Sequence, residues 1–426
     1  LSILSILALF VWIDPAFSQT PSEIDPRADL DRTKTIEERR PVEFRRRATR
    51  IGPWDIRPDI RTEIRYNDNI FAADDLKESD IISEITPSLL ISHQPDPGQS
   101  LNAFVQSRNG FYADNSSENY SNNISKIFGH KDLVRGIRFY GEGALMRLHE
   151  HRESESSVLA AKEPVEYTYY NAEIGLRHDR GVIGGYLEGQ FERFDFGNTP
   201  GRNRPVVIND DRNRDMWRSR LGLTYEIVND YEAFVEAEIN TVSYERRDFQ
   251  LATNGYTGSK RDSSGYRVVS GLRFNPSPVL RADLGVGYLE QTFDDQTLPS
   301  IDGPVVEIGL DWNVTPITTA SLDINRKVEE TVSAGSSGFL STEGGIKVAH
   351  KFRRNILATV FGGYETNDYE GITRDDDILR LGAGVEYKLN RKVGMGLEYN
   401  FDRRDSNIDA LDFVRNMLML RLKIQF

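Results

Sequence analysis

Arg267, Arg273, Arg281, Asp283, Glu307, Asp311, Glu343, Lys347, Arg380, Glu386, Glu398 and Arg421 all fall on the polar face of runs whose other face is apolar at every second residue. Further side chains keep the same phase: Arg57, Arg61, Glu63 and Arg65 early in the chain, Glu232, Glu236, Glu238 and Asn240 in the middle, and Lys423 at the end. Charge spread over one face of successive runs suits the holding and passing of ions and polar solutes, because fixed polar groups replace part of a solute's hydration. These residues are therefore expected to line an aqueous interior. Both signs occur, so the pattern by itself selects neither anions nor cations. A second reading stands beside the first: opposite charges facing each other across a sheet also satisfy one another, and then only stabilise it.

Bond-making chemistry finds less support. The six histidines are His93, His130, His149, His151, His178 and His350, and of these His149 and His151 stand beside serines, at Ser154, Ser156 and Ser157. A serine hydrolase needs Ser, His and a carboxylate held together, and no Gly-x-Ser-x-Gly elbow is present to expose a nucleophile. His149-Glu150-His151 supplies two imidazoles without the remaining ligands of a zinc site. Asp74-Asp75 and Asp375-Asp376-Asp377 do not follow the spacing of a calcium loop. They read as solvated loop charge, or as carboxylates that bridge through divalent cations to lipopolysaccharide phosphates. No catalytic residue, metal ligand or cofactor is expected.

The elements that must carry the charged faces are strands. Trp217, Ser219, Leu221, Leu223 and Tyr225 form one apolar face, and Tyr231, Ala233, Val235, Ala237 and Ile239 form the next. The pattern continues through Leu280 to Tyr288, Val306 to Trp312, Ile356 to Tyr364, Leu379 to Tyr387 and Val393 to Phe401. Side chains alternate across a strand, so period two sustained this far means β-structure throughout. The earlier part is less regular, with Ile60, Ile64 and Tyr66, then Ile85, Leu89 and Ile91, in the same phase.

Connections between these runs alternate in length. Short ones fall at Lys388 to Lys392, Lys351 to Asn355, Asn313 to Thr318, Asn275 to Val279, Ile227 to Asp230 and His178 to Gly181. Long ones fall at Asp402 to Asp412, Tyr369 to Asp375, Lys327 to Gly338, Asp294 to Gly303, Glu245 to Ser264, Gly197 to Arg214 and Glu150 to Val165. A soluble sandwich has no reason to alternate in this way, whereas a transmembrane barrel places tight turns on the periplasmic side and longer loops outside. Tyr225, Tyr231, Phe274, Trp312, Phe352, Tyr387 and Phe426 all lie near short turns, as an interfacial aromatic girdle requires. The fold expected is an all-β, antiparallel up-and-down transmembrane barrel of about 18 strands, or about 16 if two weak hairpins before Tyr170 do not form, a size that leaves an aqueous channel.

Both ends of the chain agree with this reading. At the C-terminus Leu418, Leu420, Leu422, Ile424 and Phe426 share one face, opposite Met419, Arg421, Lys423 and Gln425. An amphipathic strand of roughly 9–11 residues is what a tilted crossing needs. Its terminal Phe426 resembles the signal read by barrel-assembly machinery, an expected partner along with outer-membrane lipid and lipopolysaccharide. At the N-terminus Leu1 to Trp12 is a short apolar run followed by Ala16-Phe17-Ser18, so residues 1–18 read as a signal peptide. Residues 19–52 are charge-dense and broken by Pro21, Pro26 and Pro41, a segment expected to be extended or disordered: most simply a solvated periplasmic linker, and alternatively an arm that docks on a partner or folds into the pore. Residues 53–426 would form the barrel.

Composition excludes other classes. Cysteine is absent, which removes disulfides and thiol chemistry, while 18 Tyr, 21 Phe and 34 Gly accompany a mean hydropathy of −0.50. A net charge of −13 without a basic patch gives no footprint for nucleic acid.

One segment carries a closer resemblance. Arg61-Thr62-Glu63-Ile64-Arg65-Tyr66-Asn67-Asp68-Asn69-Ile70-Phe71, an acidic loop with Asp80, and then Ile85-Thr86-Pro87-Ser88-Leu89 resemble the opening of the β-barrel porin 2 family of Gram-negative bacteria. The likeness is sharpest over Asp55 to Leu90, and strand pattern carries it onward. It implies an outer-membrane barrel, and it implies association with exopolysaccharide or capsule export, with a periplasmic polysaccharide-export protein as partner. A general diffusion porin is the alternative, and a lipid-modifying barrel enzyme is the rival of another class. Asp68 and Asn69 would serve as turn formers closing the first hairpin at the outer rim.

Overall fold

The computed structural model describes residues 48–426 except 156, 158, 159, 203, 204, 251, 252, 278, 332 and 334, together with residues 35–37, 39 and 44. The expected leader at residues 1–18 and most of the segment 19–52 lie outside the described residues.

Eighteen antiparallel strands form a closed wall. They are β1 (Trp54–Asn67), β2 (Asp80–Asp96), β3 (Gln99–Tyr112), β4 (Tyr120–Asp132), β5 (Ile137–His149) and β6 (Glu166–His178). Then follow β7 (Ile183–Phe196), β8 (Arg214–Val228), β9 (Tyr231–Tyr244), β10 (Ser263–Ser277), β11 (Leu280–Phe293) and β12 (Ile301–Thr315). The last are β13 (Thr318–Glu329), β14 (Gly338–Arg353), β15 (Ile356–Glu370), β16 (Asp375–Lys388), β17 (Val393–Ser406) and β18 (Phe413–Gln425). Each pairs with the next, and β18 pairs with β1 from Asn67↔Met417 to Asp59↔Gln425. Closure removes the unpaired edge that hydrocarbon would not tolerate.

The alternation read from sequence sets which face meets lipid. On β8, Trp217, Leu221, Leu223 and Tyr225 are exposed, while Arg218 and Arg220 between them are shielded on the inner side. Tyr231, Trp312, Phe352, Tyr387 and Phe426 are exposed near the short turns. A second exposed set, which includes Tyr66, Phe111, Trp217, Tyr288 and Tyr364, lies toward the long loops. On one strand Trp217 and Tyr225 are separated by about 20 Å along the membrane normal, given ~3.4 Å per residue and a tilt of ~40°. The tight turns follow residue chemistry: Val228↔Tyr231 closes β8 onto β9 with Asp230 in the left-handed region at φ 68°, where Asp costs less than most side chains.

Several boundaries differ from expectation. The strands run 12 to 17 residues, longer than the membrane requires, so β17 continues to Ser406 instead of ending near Asp402. Above the bilayer a strand needs no apolar face, and charged stretches such as Arg403 to Asp405 hid this extension. One ladder is short: β12 and β13 pair from Thr315↔Thr318 only to Ile308↔Ile324. Leu289, Ile301, Val305 and Leu340 pack together at the level beyond, with Val328 against them.

Asp68 and Asn69 do more than turn the chain. The Asp68 carboxylate accepts the Asn416 backbone N–H at 2.6 Å and its side-chain amide at 2.7 Å, and the Asp68 amide donates to the Asn416 carbonyl at 3.2 Å. The Asn69 side chain donates to the carbonyls of Ala73 at 2.7 Å and Val414 at 3.0 Å. The motif therefore extends the β1–β18 seam past its last ladder pair, a partnership between chain ends that local spacing cannot reveal. Asp68→Ala removes two hydrogen bonds to a charged group and should weaken closure by about 2 kcal/mol. The expected readout is a lower temperature for loss of the folded band on unboiled gels, and an unchanged temperature would show the clip to be idle.

Candidate functional site: the charged interior and its folded-in loop

The side chains singled out from sequence are distributed round the ring and do not converge on one point. Arg267 binds Glu307 and approaches Glu236 at 3.7 Å, and Arg273 binds Glu232 at 3.1 Å and stacks over Phe234 at 4.2 Å. Arg281 binds Asp311, which also accepts the Ser321 hydroxyl at 2.7 Å, and Asp283 is directly opposite Arg273 in the ladder. Glu343 faces Glu365 across β14 and β15, and Arg380 holds that Glu365 at 2.6 Å. Lys347 binds Glu37 of the N-terminal segment at 2.6 Å, and Glu386 approaches Lys388 at 3.7 Å. Arg421 joins Glu63 at 3.1 Å to Glu398 at 3.7 Å across the seam. Mutual ion pairing is thus pervasive.

Two networks were reached from sequence only in part, through Arg65, Glu236 and Glu238, without Glu84, Arg108, Glu188, Glu192, Arg218 or Arg220. On β7 to β9, Arg218 bridges Glu192 at 3.1 Å and Glu238 at 3.2 Å, and Arg220 binds Glu188. Tyrosine hydroxyls top this network up: Tyr140 donates to Glu188 at 2.8 Å, Tyr169 to Glu192 at 2.5 Å and Tyr186 to Glu236. On β1 to β4, Glu84 gathers Arg108 at 2.7 Å, the Tyr120 hydroxyl at 2.6 Å and Arg65 at 3.5 Å. The signal available was inward phase alone, and phase does not tell which strands face which groups.

Shielding differs along the axis. Near the periplasmic turns Glu386 keeps 47% of its side chain exposed and Arg281 37%, whereas toward the outer loops Arg415 keeps 8% and Asp402 10%. The connection between β5 and β6, residues 150–165, accounts for much of the outer crowding. It is pinned at its base by Glu150 to Arg212 at 2.9 Å and by Arg152 to Glu118 at 2.7 Å. From there it reaches the inner faces of β16 to β18, with β1 to β4 lying between along the wall. Glu153 binds Arg415 at 3.0 Å and accepts Arg404 on its carbonyl at 3.4 Å, and Glu155 approaches Arg380 at 3.8 Å. At its far end Ala161 and Val165 are buried with Leu148, Tyr167, Phe194, Phe196 and Val207. Apolar burial and two ion pairs hold the base, while ion pairs to β16 and β18 hold the tip.

The His149-Glu150-His151 cluster is divided among these contacts. His149 stacks on Tyr120 at 4.1 Å and reaches Asn122 at 2.9 Å, while Glu150 goes to Arg212. Burial lowers the pKa of His151 against the pull of Glu153. Burial, reinforced by the negative charge of Glu365 and opposed by Arg380 and Arg404, pushes Glu155 up to about 7.

These two loop groups act in opposite senses. A carboxyl raised on docking favours the docked loop below its free pKa and loses that contribution as pH climbs toward about 7. An imidazole lowered on docking favours the docked loop above about 6.5 and loses it as pH falls. With both present the two contributions oppose each other over mildly acid pH, and above about 6.5 only the carboxyl's loss continues, so the docked loop should loosen on approach to neutrality. Glu155→Gln leaves only the histidine arm, so the loop should tighten as pH rises. A spin label at Ser157→Cys, in a chain without cysteine, reports the difference through its mobility. Identical pH profiles for the two proteins would refute the assignment.

The wall, its belts and its charged interior agree with the sequence profile of the family described as "Putative beta-barrel porin 2", which matches residues 44–426. The chain belongs to this family. It is accordingly a porin-like β-barrel channel of the bacterial outer membrane. No curated protein matches the sequence. Among solved structures it is similar to the outer membrane protein opdK from Pseudomonas aeruginosa, with a TM-score of 0.46, 10% identity, and coverage of 87% of this chain and 99% of that one. It is also similar to OpdQ from Pseudomonas aeruginosa, at TM-score 0.46 and 7% identity over 88% of this chain and 99% of that one. The siderophore receptor PirA from Acinetobacter baumannii gives a TM-score of 0.49 and 6% identity over 89% of this chain and 81% of that chain.

Proposed function

We propose that this porin-family barrel is a selective channel for small charged or strongly polar solutes, with loop residues 150–165 as its selectivity element. One observation carries the reading: Glu153 and Glu155, on a loop between β5 and β6, lie against Arg380, Arg404 and Arg415 of β16 to β18. A carboxylate loop tied to arginines across the interior narrows the path, and it gives a solute fixed charges of both signs to exchange with. Passage is then governed by how well a solute replaces these internal pairs.

An exit pore for exopolysaccharide, the function that the family resemblance implies, has a different observation in its favour. The periplasmic half of the interior, with Glu232, Arg281 and Glu386, keeps its charged groups open to water, as a polymer conduit needs. In that reading loop 150–165 must leave the interior during export, and the N-terminal segment would meet an export partner in the periplasm. Lipopolysaccharide around the outer aromatic belt, and assembly machinery reading Phe426, are partners common to both readings. Deleting the gene separates them. Loss of uptake of small charged solutes with normal surface polysaccharide is expected, and loss of surface polysaccharide with normal uptake would establish the exit pore instead.

A further inference from the structure

Within the N-terminal segment, Ile36 and Arg39 are packed against the wall, whereas Thr49 to Gly52 are exposed. Ile36 keeps only 2% of its surface exposed, and its amide donates to the Thr319 hydroxyl at 2.9 Å. Arg39 is 4% exposed, and its guanidinium donates to the Asn313 side chain at 2.6 Å and to the Pro316 carbonyl at 3.1 Å. The Lys351 ammonium donates to the Arg39 carbonyl at 2.8 Å, and Lys347 donates to Glu37 at 2.6 Å. Every one of these partners belongs to β12, β13, β14 or the turn between β12 and β13. All of them sit toward the periplasmic ends.

The partners are also on the inner face. Trp312 and Val314 are exposed to lipid on either side of the buried Asn313, and Ile346 and Val348 are exposed on either side of Lys347. Ile36, Glu37 and Arg39 therefore lie inside the barrel, against its wall. The chain re-emerges among the described residues as the short strand Thr49–Ile51, paired with the start of β1. Between β14 and β1 the wall runs through β15 to β18, so Arg39 and Thr49 lie on different sectors of the periplasmic rim.

We infer that the inner face of β12 to β14 is an intramolecular peptide-binding site that takes Ile36, Glu37 and Arg39 of the N-terminal segment, which makes these residues a removable stopper for the periplasmic mouth. The site has the features of peptide recognition. An apolar side chain is buried, two main-chain groups are engaged, and an acidic and a basic side chain are each met by complementary groups. Ile36 and Arg39 anchor the stopper by burial, while the Glu37–Lys347 pair keeps 19% and 38% of its side chains exposed and is the contact at which water and salt compete. The consequence for conductance rests on the channel reading above, whereas the docking stands apart from it.

The test uses the full-length protein in two measurements. In outer membranes, a Glu37→Cys, Lys347→Cys variant treated with a short bis-maleimide, which adds each thiol across a C=C bond, should form an internal cross-link, seen as a shifted band on denaturing gels. In planar bilayers, Glu37→Lys and Lys347→Glu alone should each raise mean conductance several-fold, and the two swaps together should return it toward that of the unaltered protein. The cross-linked protein should stay in the low-conductance state. Failure to cross-link, or equal conductance for single and double swaps, overturns the stopper. A cross-link in a protein that conducts in no variant leaves the docking in place and overturns the channel reading instead.

Discussion

Leu397→Arg should abolish assembly of the barrel, while Gly394→Arg on the same strand should be accepted. Leu397 is 53% exposed on the outer face of β17, between Met395 and Tyr399, within the band that meets hydrocarbon. Arginine near the bilayer midplane of such barrels costs about 2–4 kcal/mol, comparable to a large part of a domain's net stability. Gly394 has the opposite phase. A Cβ there meets nothing nearer than 3.9 Å, and the nearest group is the carboxylate of Glu386, which would receive the guanidinium. Gly285, of the same inner phase, is an unsuitable control, because a Cβ there would come within 2.8 Å of Val269 in a closely packed patch. Inner phase alone does not guarantee room. The readout is the heat-modifiable folded band in outer-membrane fractions, and equal losses for Leu397→Arg and Gly394→Arg would mean that the assignment of faces fails.

The second large effect is expected at the loop tip. Glu153→Arg sets a cation against Arg415, whose remaining ion-pair partner among the described residues is Asp402 at 2.5 Å, and against Arg404. Breaking a buried pair costs about 3–5 kcal/mol. Glu153 retains 31% exposure, so the low end, about 3 kcal/mol, applies and is enough to favour release of the tip. Single-channel conductance should rise several-fold, with a smaller rise for Glu153→Gln, which keeps hydrogen-bonding capacity and loses only the charge. The base of the loop, held by Arg152–Glu118, Glu150–Arg212 and the cluster around Tyr167, should remain in place and the barrel should stay assembled. Unchanged conductance in both variants would remove the loop from the permeation path.

The two halves of the interior then have different tasks. Toward the periplasm, Ile36, Glu37 and Arg39 rest on β12 to β14, held by burial of Ile36 and Arg39 and by the partly exposed Glu37–Lys347 pair. Toward the outside, the base of the loop between β5 and β6 is seated by aliphatic and aromatic burial, and its tip by ion pairs to Arg380 and Arg415. A solute would meet one such element at each end of the interior.

Sequence by itself determined the wall. Period two is a local property of a strand, because each side chain's face follows from its neighbours, so Trp217 to Tyr225 and Leu418 to Phe426 declare their lipid face without reference to any partner. Turn lengths are equally local, and together they set the order of strands and the side from which loops project. Only the tertiary structure decided what occupies the interior. Glu153 meets Arg415, Ile36 meets Thr319, and Asp68 meets Asn416 across separations of hundreds of residues, and in each case charge or polarity at one site is compatible with many partners. Inward phase told that Arg421 and Glu63 face the lumen, but their pairing at 3.1 Å arises because closure brings β18 beside β1. The extension of β17 past Asp402 was hidden for a related reason. Once a strand leaves the bilayer, nothing in the solvent demands alternation, and backbone pairing with its neighbours alone keeps it extended.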